Sequence, residues 1–555
     1  MVAGTGFAAW GMRPSLAAVP GDHIPGRFID ITKAAGIHFL HRASHTPLKY
    51  LPETMGSGVA LFDYDNDGRL DLYLVNGAPI AAPTPAGMIP KKSGPEYWNR
   101  LYHQRKDGTF EDVTEHACVA GTGYGMGVAA ADYDNDGFQD LYVTQYGHNI
   151  LYHNNGDGTF SDVTVEAGVA GSGWSTSAAW VDYDRDGRLD LIVLRYIKWD
   201  FKNIWCGSHQ PGHRAYCHPD LFEPITLLLY HNEDGKHFRE VSRQAGITVP
   251  GKGLGVAIAD YDHDGYPDFF VANDSMQEFL FHNQGNGTFK EVGLESETGL
   301  DGDGRTYAGM GVDFADYNND MWPDLIVTDL SNQKYALYSN SGNGNFQYAT
   351  YTSGLASITL LHSGWGVRFL DYDNDGWKDL LIAQGHVMDT IHLDFPDLHY
   401  LEPPVLLRNG RGKFTNVSKA SGAVFSERWA GRGLAIGDIN NDGKMDAVIT
   451  TNDGPAYLLR NETPSPNHWL TLKLVGRKSN RDGIGAAVTV KTSALTQYRT
   501  VTTGGSYCSS SDVRPHFGLA DATKADVEIR WPSGIVQRLA NLAADRIITV
   551  KEPEK

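Results

Sequence analysis

The stretch from Phe62 to Gly77, FDYDNDGRLDLYLVNG, sets Asp63, Asp65, Asn66, Asp67 and Asp71 within nine residues, directly before an apolar run. Carboxylates packed this closely repel one another. Either a cation or a repeated structural need must hold them together.

The stretch is one of seven. Its oxygen-bearing positions one, three, five and nine are Asp63, Asp65, Asp67 and Asp71, then Asp132, Asp134, Asp136 and Asp140. The third and fourth copies hold Asp182, Asp184, Asp186 and Asp190, and Asp260, Asp262, Asp264 and Asp268. The last three hold Asp316, Asn318, Asp320 and Asp324; Asp371, Asp373, Asp375 and Asp379; and Asp438, Asn440, Asp442 and Asp446. Position six is glycine except in the fifth copy, which has Met321. Such recurrence marks a repeat architecture.

A second signature lies between copies. LYHQRKDGTFEDVT at 101–114, LYHNNGDGTFSDVT at 151–164 and LFHNQGNGTFKEV at 280–292 each read as strand, glycine turn, strand. One repeat is therefore a strand such as GVALFD, the acidic loop, a strand such as DLYLV, a third such as LYHNN, a turn and a fourth such as FSDVT. That is a four-stranded meander. Seven such units, none able to bury both faces alone, predict an all-β chain built on a seven-bladed β-propeller.

The ends of the repeat predict how the ring closes. FIDITKAAGI, residues 28–37, carries the fourth-strand signature without three strands before it. The seventh loop is followed by AVITTN and AYLLRN but by no fourth strand. Residues 28–37 are expected to complete the last blade, and the propeller to span 28–463.

Oxygen donors at positions one, three, five and nine, with a glycine turn at six, suit a hard cation that takes six to eight oxygens. No histidine or cysteine recurs within the loops, which disfavours zinc and copper. An EF-hand fails at position twelve, where Leu74, Val143, Val193, Val271, Val327, Ile382 and Ile449 stand in place of a chelating glutamate. Up to seven Ca²⁺ are expected. The four positions carry 26 carboxylates over the seven loops, and seven calcium ions would bring the formal charge of −20 to −6. In the fifth loop, Met321 at a position needing left-handed backbone costs roughly 1–2 kcal/mol.

At 555 residues the chain exceeds one ordinary core unless it is built from repeats, and its 63 glycines supply the turns. A net charge of −20 argues against nucleic acid, which calls for a basic patch. No run of 18 apolar residues is present, so no transmembrane segment is expected. Residues 1–27 read as a weak signal peptide or a disordered leader.

Four cysteines make no disulfide framework. In CGSHQPGHRAYCH, Cys206 and Cys217 are read as a local disulfide; a transition-metal cluster with His209, His213 and His218 is the alternative. Cys118 replaces the glycine of a recurring Ala-Gly-Val and reads as a small packed residue.

No zincin, nucleophile-elbow, P-loop or haem-attachment motif is present. Two functions remain. One is a calcium-dependent scaffold that binds an extracellular or envelope protein or a glycan. The other is a hydrolase or lyase acting on a polysaccharide through the 195–224 and 386–402 insertions. Strand parity locates the working face. The acidic loops follow first strands, whereas the insertions at 77–100, 195–227 and 385–404 follow second strands and emerge on the opposite side. Loops on a rigid scaffold are where binding usually resides. Tyr196, Trp199, His209, His213, Tyr216, His386 and His392 are the candidate ligand-binding residues.

These repeats resemble the FG-GAP/VCBS repeats of integrin-α-like β-propellers. The segment after 466 resembles the ASPIC/UnbV domain through NHWLTLKLVG, SNRDGIGAAVTV, HFGL and RWPSG. Together they resemble the cartilage acidic protein-like family, bacterial type. The resemblance implies an exported module (periplasmic, cell-surface or extracellular) for adhesion or recognition, stabilised by calcium. It implies no agreed catalytic activity. The C-terminal segment, 467–555, alternates in WLTLKL, AAVTVK and ADVEIRW, which predicts a small β-sandwich. Asp482, Arg514 and His516 are read there as structural.

Overall fold

The computed structural model describes residues 26–210 and 212–554. The leader expected over 1–27 falls, up to residue 25, outside the described residues.

Each repeat folds as the alternation and the glycine turns dictate. The first sheet pairs Val59–Phe62, Asp71–Leu74, Arg100–Gln104 and Phe110–Asp112 in that order, antiparallel throughout. The second repeats the meander with Tyr124–Ala131, Asp140–Tyr146, Ile150–Asn154 and Phe160–Asp162. Among the described residues, seven such meanders precede residue 467, six as four-stranded sheets and one with Tyr307–Ala308 added as a fifth strand against Asp268–Met276. In the last of them Phe28–Asp30 pairs with Tyr457–Asn461, with Phe28 opposite Asn461.

The sheets close into a ring. Each first strand touches the first strands of the sheets before and after it, and Val59–Phe62 meets Gly431–Gly437 to complete the cycle. Apolar clusters fill the junctions. Phe62, Tyr73 and Leu101 of the first sheet pack on Leu141 and Tyr152 of the second. Val59 and Leu61 pack on Ala435, Val448 and Leu458 across the closing junction. Each sheet thus buries both faces only because it has neighbours, as in propellers generally.

The C-terminal segment forms two sheets. One holds His516–Ala520, His468–Val475 and Arg546–Lys551, and the other Thr496–Thr500, Ala487–Lys491, Lys524–Arg530 and Val536–Ala543. Leu470 and Phe517 of the first pack with Val488, Val527 and Ile529 of the second. This sandwich sits on the acidic-loop face of the ring. Lys473 Nζ lies 3.4 Å from Asp63, and Asp482 accepts from the Asp132 N–H at 3.0 Å. Arg514 donates to Asn441 at 3.1 Å, and His516 Nε2 meets Asn374 Oδ1 at 2.8 Å.

From this domain, residues 503–512 thread the channel of the ring and bond to the first strand of every sheet. Ser510 N–H donates to Val59 O at 2.9 Å, Val128 N–H to Cys508 O at 3.1 Å and Gly505 N–H to Val256 O at 2.7 Å. Trp180 N–H donates to Thr503 Oγ1 at 2.9 Å, and Arg368 Nη1 to Gly504 O at 3.0 Å. Val312 N–H donates to Ser506 O at 3.2 Å, and Asp512 N–H to Ile436 O at 3.1 Å. Glycine at the entry of the first strands makes the room. A Cβ added at Gly58 would lie 1.6 Å from Cys508 O, and one at Gly433 would lie 2.6 Å from Ser509 Oγ.

Cys118 corrects its sequence reading. It is an exposed free thiol that ends a one-turn helix in left-handed conformation at φ 61°, where the next repeat uses Gly168. Helix termination, not packing, sets this position.

Candidate functional site

Every acidic loop joins the first and second strands of a sheet, and all seven share four kinds of hydrogen bond. Position nine opens the second strand: Asp140 accepts from Tyr133 N–H at 3.2 Å and from Asn154 N–H, at the end of the third strand, at 2.7 Å. Position one caps the turn: Asp132 accepts from Gly137 N–H at 2.8 Å, as in every loop, and from Asp136 N–H at 3.1 Å, a bond that the first and fourth loops lack. Position five accepts from position seven, Asp136 from Phe138 N–H at 2.8 Å. Positions four and six are left-handed, at φ 63° for Asn135 and 100° for Gly137. In the fifth loop Met321 takes φ 78°, so the strain expected of its side chain is present.

The loops are clamped to one another through the third strand. Asn154 Nδ2 donates to Tyr64 O of the preceding loop at 2.8 Å, and Asn232 to Tyr133 O at 3.1 Å. The chain of clamps closes when Gln104 Nε2 donates to Ile439 O at 3.1 Å.

The electrostatics call for a counter-charge. Burial first and neighbouring carboxylates next push Asp182 up to about 8 and Asp260 up to about 7. Asp63 Oδ1, Asp184 Oδ1, Asp260 Oδ1 and Asp373 Oδ2 are buried without a hydrogen-bond partner. Asp63, Asp65 and Asp71 bring ligand atoms within 4.8 Å of one another. Such donor sets fit a hard cation.

Histidine does reach these loops, contrary to the reading of the loop sequences alone. It comes from the third strand, one residue before the clamping amide. His103 Nδ1 lies 3.2 Å from Asp71 and 3.5 Å from Asp65, and His153 lies 3.4 Å from Asp140 and 3.3 Å from Asp134. His231 and His282 repeat the arrangement. The close position-nine carboxylate, hydrogen-bonded to His231 and His282 and beside His103 and His153, raises each imidazole above its ordinary pKa. The corresponding residue of the sixth sheet is Arg408, 3.1 Å from Asp375. LYHN carried this signal in the sequence.

On the opposite face, all three insertions leave second strands, as parity requires. Two of them, 195–227 and 385–404, help to shape a cavity of about 180 Å³ over the channel, lined by Tyr196, Tyr216, His386, Asp274 and Trp365 among others. Tyr196 donates to Asp274, and Tyr216 to the buried Glu53 at 3.2 Å. His386 Nδ1 accepts from Met388 N–H at 2.9 Å, which places the ring proton on Nε2. Burial and the nearby charge of Arg432 push His386 down to about 4, so it is neutral near pH 7.

The other four candidates are not among the cavity's lining residues. Trp199 packs edge-on against Tyr50, Tyr146 and Phe201, because its large apolar surface is better buried in that cluster. His209 is exposed and stacks on Trp205 at 5.1 Å. His213 lies on the hairpin closed by the Cys206–Cys217 disulfide, and His392 is exposed on a short turn, Ile391–Leu393. With both thiols consumed in that bond, the transition-metal alternative loses its sulfur ligands. Asp274, Ser275 and Trp365 belong to the cavity and were missed; they lie on strands, where sequence alone reads them as core.

These loops and clamps define a class: a propeller of FG-GAP-like repeats. Residues 93–143, 132–193, 260–327 and 316–382 match the FG-GAP-like repeat, and 476–555 match the ASPIC and UnbV family. The chain belongs to the FG-GAP-repeat proteins that carry an ASPIC and UnbV domain. It is similar to cartilage acidic protein 1 of Mus musculus, 24% identical over 328 residues, covering 57% of this chain and 48% of that one. The Homo sapiens protein of that name is 25% identical over 325 residues, covering 57% and 46%. The chain thus spans about half the length of the curated relatives it matches. Similar solved structures include an Agrocybe aegerita lectin that recognises non-reducing terminal N-acetylglucosamine, with TM-score 0.38, 16% identity, and 73% and 94% coverage of the two chains. YCF48 bound to D1 peptide has TM-score 0.40, 11% identity, and 80% and 98% coverage. Among the described residues no helix is long and apolar enough to cross a membrane.

Proposed function

We propose that this protein is an exported recognition scaffold whose seven acidic loops hold Ca²⁺ and whose insertion face binds a protein or glycan. The observation that carries the metal reading is the set of buried, partnerless carboxylate oxygens repeated around one face. Positions one, three, five and nine of each loop are the proposed ligands, with the third-strand histidines of the first four sheets beside them. Calcium there supplies the positive charge that lets the carboxylates stay ionised when buried. The Cys206–Cys217 disulfide supports export, since such bonds persist in oxidising compartments. The cavity gathering Tyr196, Tyr216 and His386 supports recognition on the insertion face.

A cation bound only by the folded ring stabilises it by about 2.7 kcal/mol per site at a hundredfold excess over Kd. Removing Ca²⁺ with a chelator is therefore expected to lower Tm by many degrees, and millimolar Ca²⁺ to restore it. An unchanged melt after verified removal would overturn the metal reading.

A further inference from the structure

Three carboxylates beside the insertion-face cavity lack a basic partner. Asp274 lines the cavity, and its oxygens take only hydroxyls, from Tyr196 and from Ser275 at 2.9 Å. It lies opposite Ala308 in the pairing of Asp268–Met276 with Tyr307–Ala308. Asp329 accepts through Oδ1 from Ala308 N–H at 3.1 Å and Leu330 N–H at 2.7 Å, while its Oδ2 has no partner. Glu278 approaches the same segment: its Oε1 has no partner and would lie 2.5 Å from a Cβ added at Gly309. Glu278 is 0% and Asp329 1% exposed.

Among the described residues none of the three has an ion pair within 4.0 Å. The nearby bases pair with other groups, although the charges of His218, which lines the cavity and lies 3.5 Å from Asp220, and of Lys252 still reach Asp274. Lys252 pairs with Asp220 at 2.8 Å, and Lys49 pairs with Asp389. Arg432 stacks 4.1 Å over the Trp365 ring and donates to the carbonyls of Thr54 and Gly431, each at 2.8 Å. Burial raises all three carboxyls, and their mutual repulsion adds to the rise at Glu278 and Asp329. An uncompensated buried charge costs several kcal/mol, so a cation in the cavity is favoured beside Asp274, the one of the three that lines it.

The cavity decides which cation. Leu51, Met55, Leu254, Met310, Leu330 and Met388 form its walls. Its roughly 180 Å³ equals about six waters of liquid volume. That is room for a chain of five or six heavy atoms. Walls of this kind offer a hydrated metal ion nothing to replace its water, but they suit methylenes. Neutral His386 adds no repulsive charge and offers its Nε2–H to an acceptor on the ligand.

We propose that this cavity binds a primary alkylammonium group, its methylenes against the methionines and leucines and its charge on Asp274. The inference rests on the insertion face being the recognition face. A lysine side chain of a partner protein and a free amine share this chemistry.

Calorimetry on the full chain in millimolar Ca²⁺ tests it with four probes and one variant. These are n-pentylamine, its neutral counterpart 1-pentanol, Nα-acetyl-lysine amide, glucosamine and Asp274→Asn protein titrated with the first two. Pentylamine is expected to bind at least tenfold more tightly than pentanol, and Asp274→Asn to erase that difference at an unchanged calcium-dependent melt. Tighter binding of acetyl-lysine amide than of pentylamine identifies a protein source; the reverse identifies a free amine. The wild-type amine-to-alcohol ratio stands by itself if the variant fails to fold. Equal binding of pentanol would overturn the charge assignment and leave an apolar recognition pocket. Binding of glucosamine without pentylamine, or of no probe at all, would overturn the inference, while the chelation result would still report on the metal reading separately.

Discussion

On one face of the ring, seven turns of equal length repeat the same four kinds of hydrogen bond. On the other, three insertions of unequal length share no pattern, and two of them converge on one cavity. The acidic face is periodic because each turn must satisfy its own backbone and clamp the next sheet, so a change at one position repeats a fault that the fold cannot absorb. The insertion face is free of that duty. Its residues answer to one another rather than to a period, and several of them answer to nothing but solvent. The C-terminal domain sharpens the contrast, since it covers the acidic face and sends its segment 503–512 down the channel, leaving the insertion face as the open end.

Substitutions should separate the two faces by the size of their cost. Asn232 donates to Tyr133 O at 3.1 Å and Leu189 O at 3.0 Å and accepts from Gly235 N–H at 2.7 Å, all buried. Asn232→Ala leaves two carbonyls and an amide unsatisfied, at about 1–3 kcal/mol each, and is expected to give the largest loss in chemical denaturation. A loss below 1 kcal/mol would break the claim that the clamps hold the ring.

Gly58→Ala comes next, because the new methyl meets the Cys508 carbonyl within van der Waals contact. Overpacking of this kind costs about 1–3 kcal/mol. Hydrogen exchange should quicken at the amides of 505–512 and stay unchanged in the insertions; uniform protection would show that the channel strand does not need the glycine.

Met321→Gly should stabilise by about 1 kcal/mol, the reverse sign, by relieving the left-handed residue in the fifth loop. A destabilised variant would mean that the methionine side chain contributes more than its backbone costs. Smallest of all, His392→Ala on the exposed turn of the insertion face should change stability by less than about 0.5 kcal/mol, and a larger loss would blur the distinction between the faces.

Much of the periodic face was legible in the sequence. Position and spacing of the aspartates, the glycine turn and the displaced fourth strand at Phe28 all report on local backbone geometry, and the ring closure follows from counting strands. Strand parity placed the insertions correctly for the same reason. What was not legible depends on partners in other repeats. The amide of Asn154 looks like the end of a strand until the carbonyl of Tyr64 in the preceding sheet is seen beside it. His103 looks like an ordinary strand residue until the second strand brings Asp71 alongside. The glycine before valine in SGVAL, MGVAA, LGVAI and WGVRF recurs visibly, yet its reason lies in other sheets and in the channel segment: a Cβ would meet Cys508 at Gly58, Met310 and Ser506 at Gly255, and Leu434 at Gly366. On the insertion face only Tyr196, Tyr216 and His386 of seven candidates met in one cavity. Aromatic content marks a recognition loop but does not say which ring turns inward.

The central claim is that the acidic face is held together by calcium. The most direct measurement is the number of calcium ions retained per chain after equilibrium dialysis against Ca²⁺, by elemental analysis, with Asp140→Asn and Asp268→Asn proteins alongside. The account predicts several ions, up to seven, on the native chain and one fewer for each loop substituted. A chain that retains none, or whose count does not change in either variant, would contradict it.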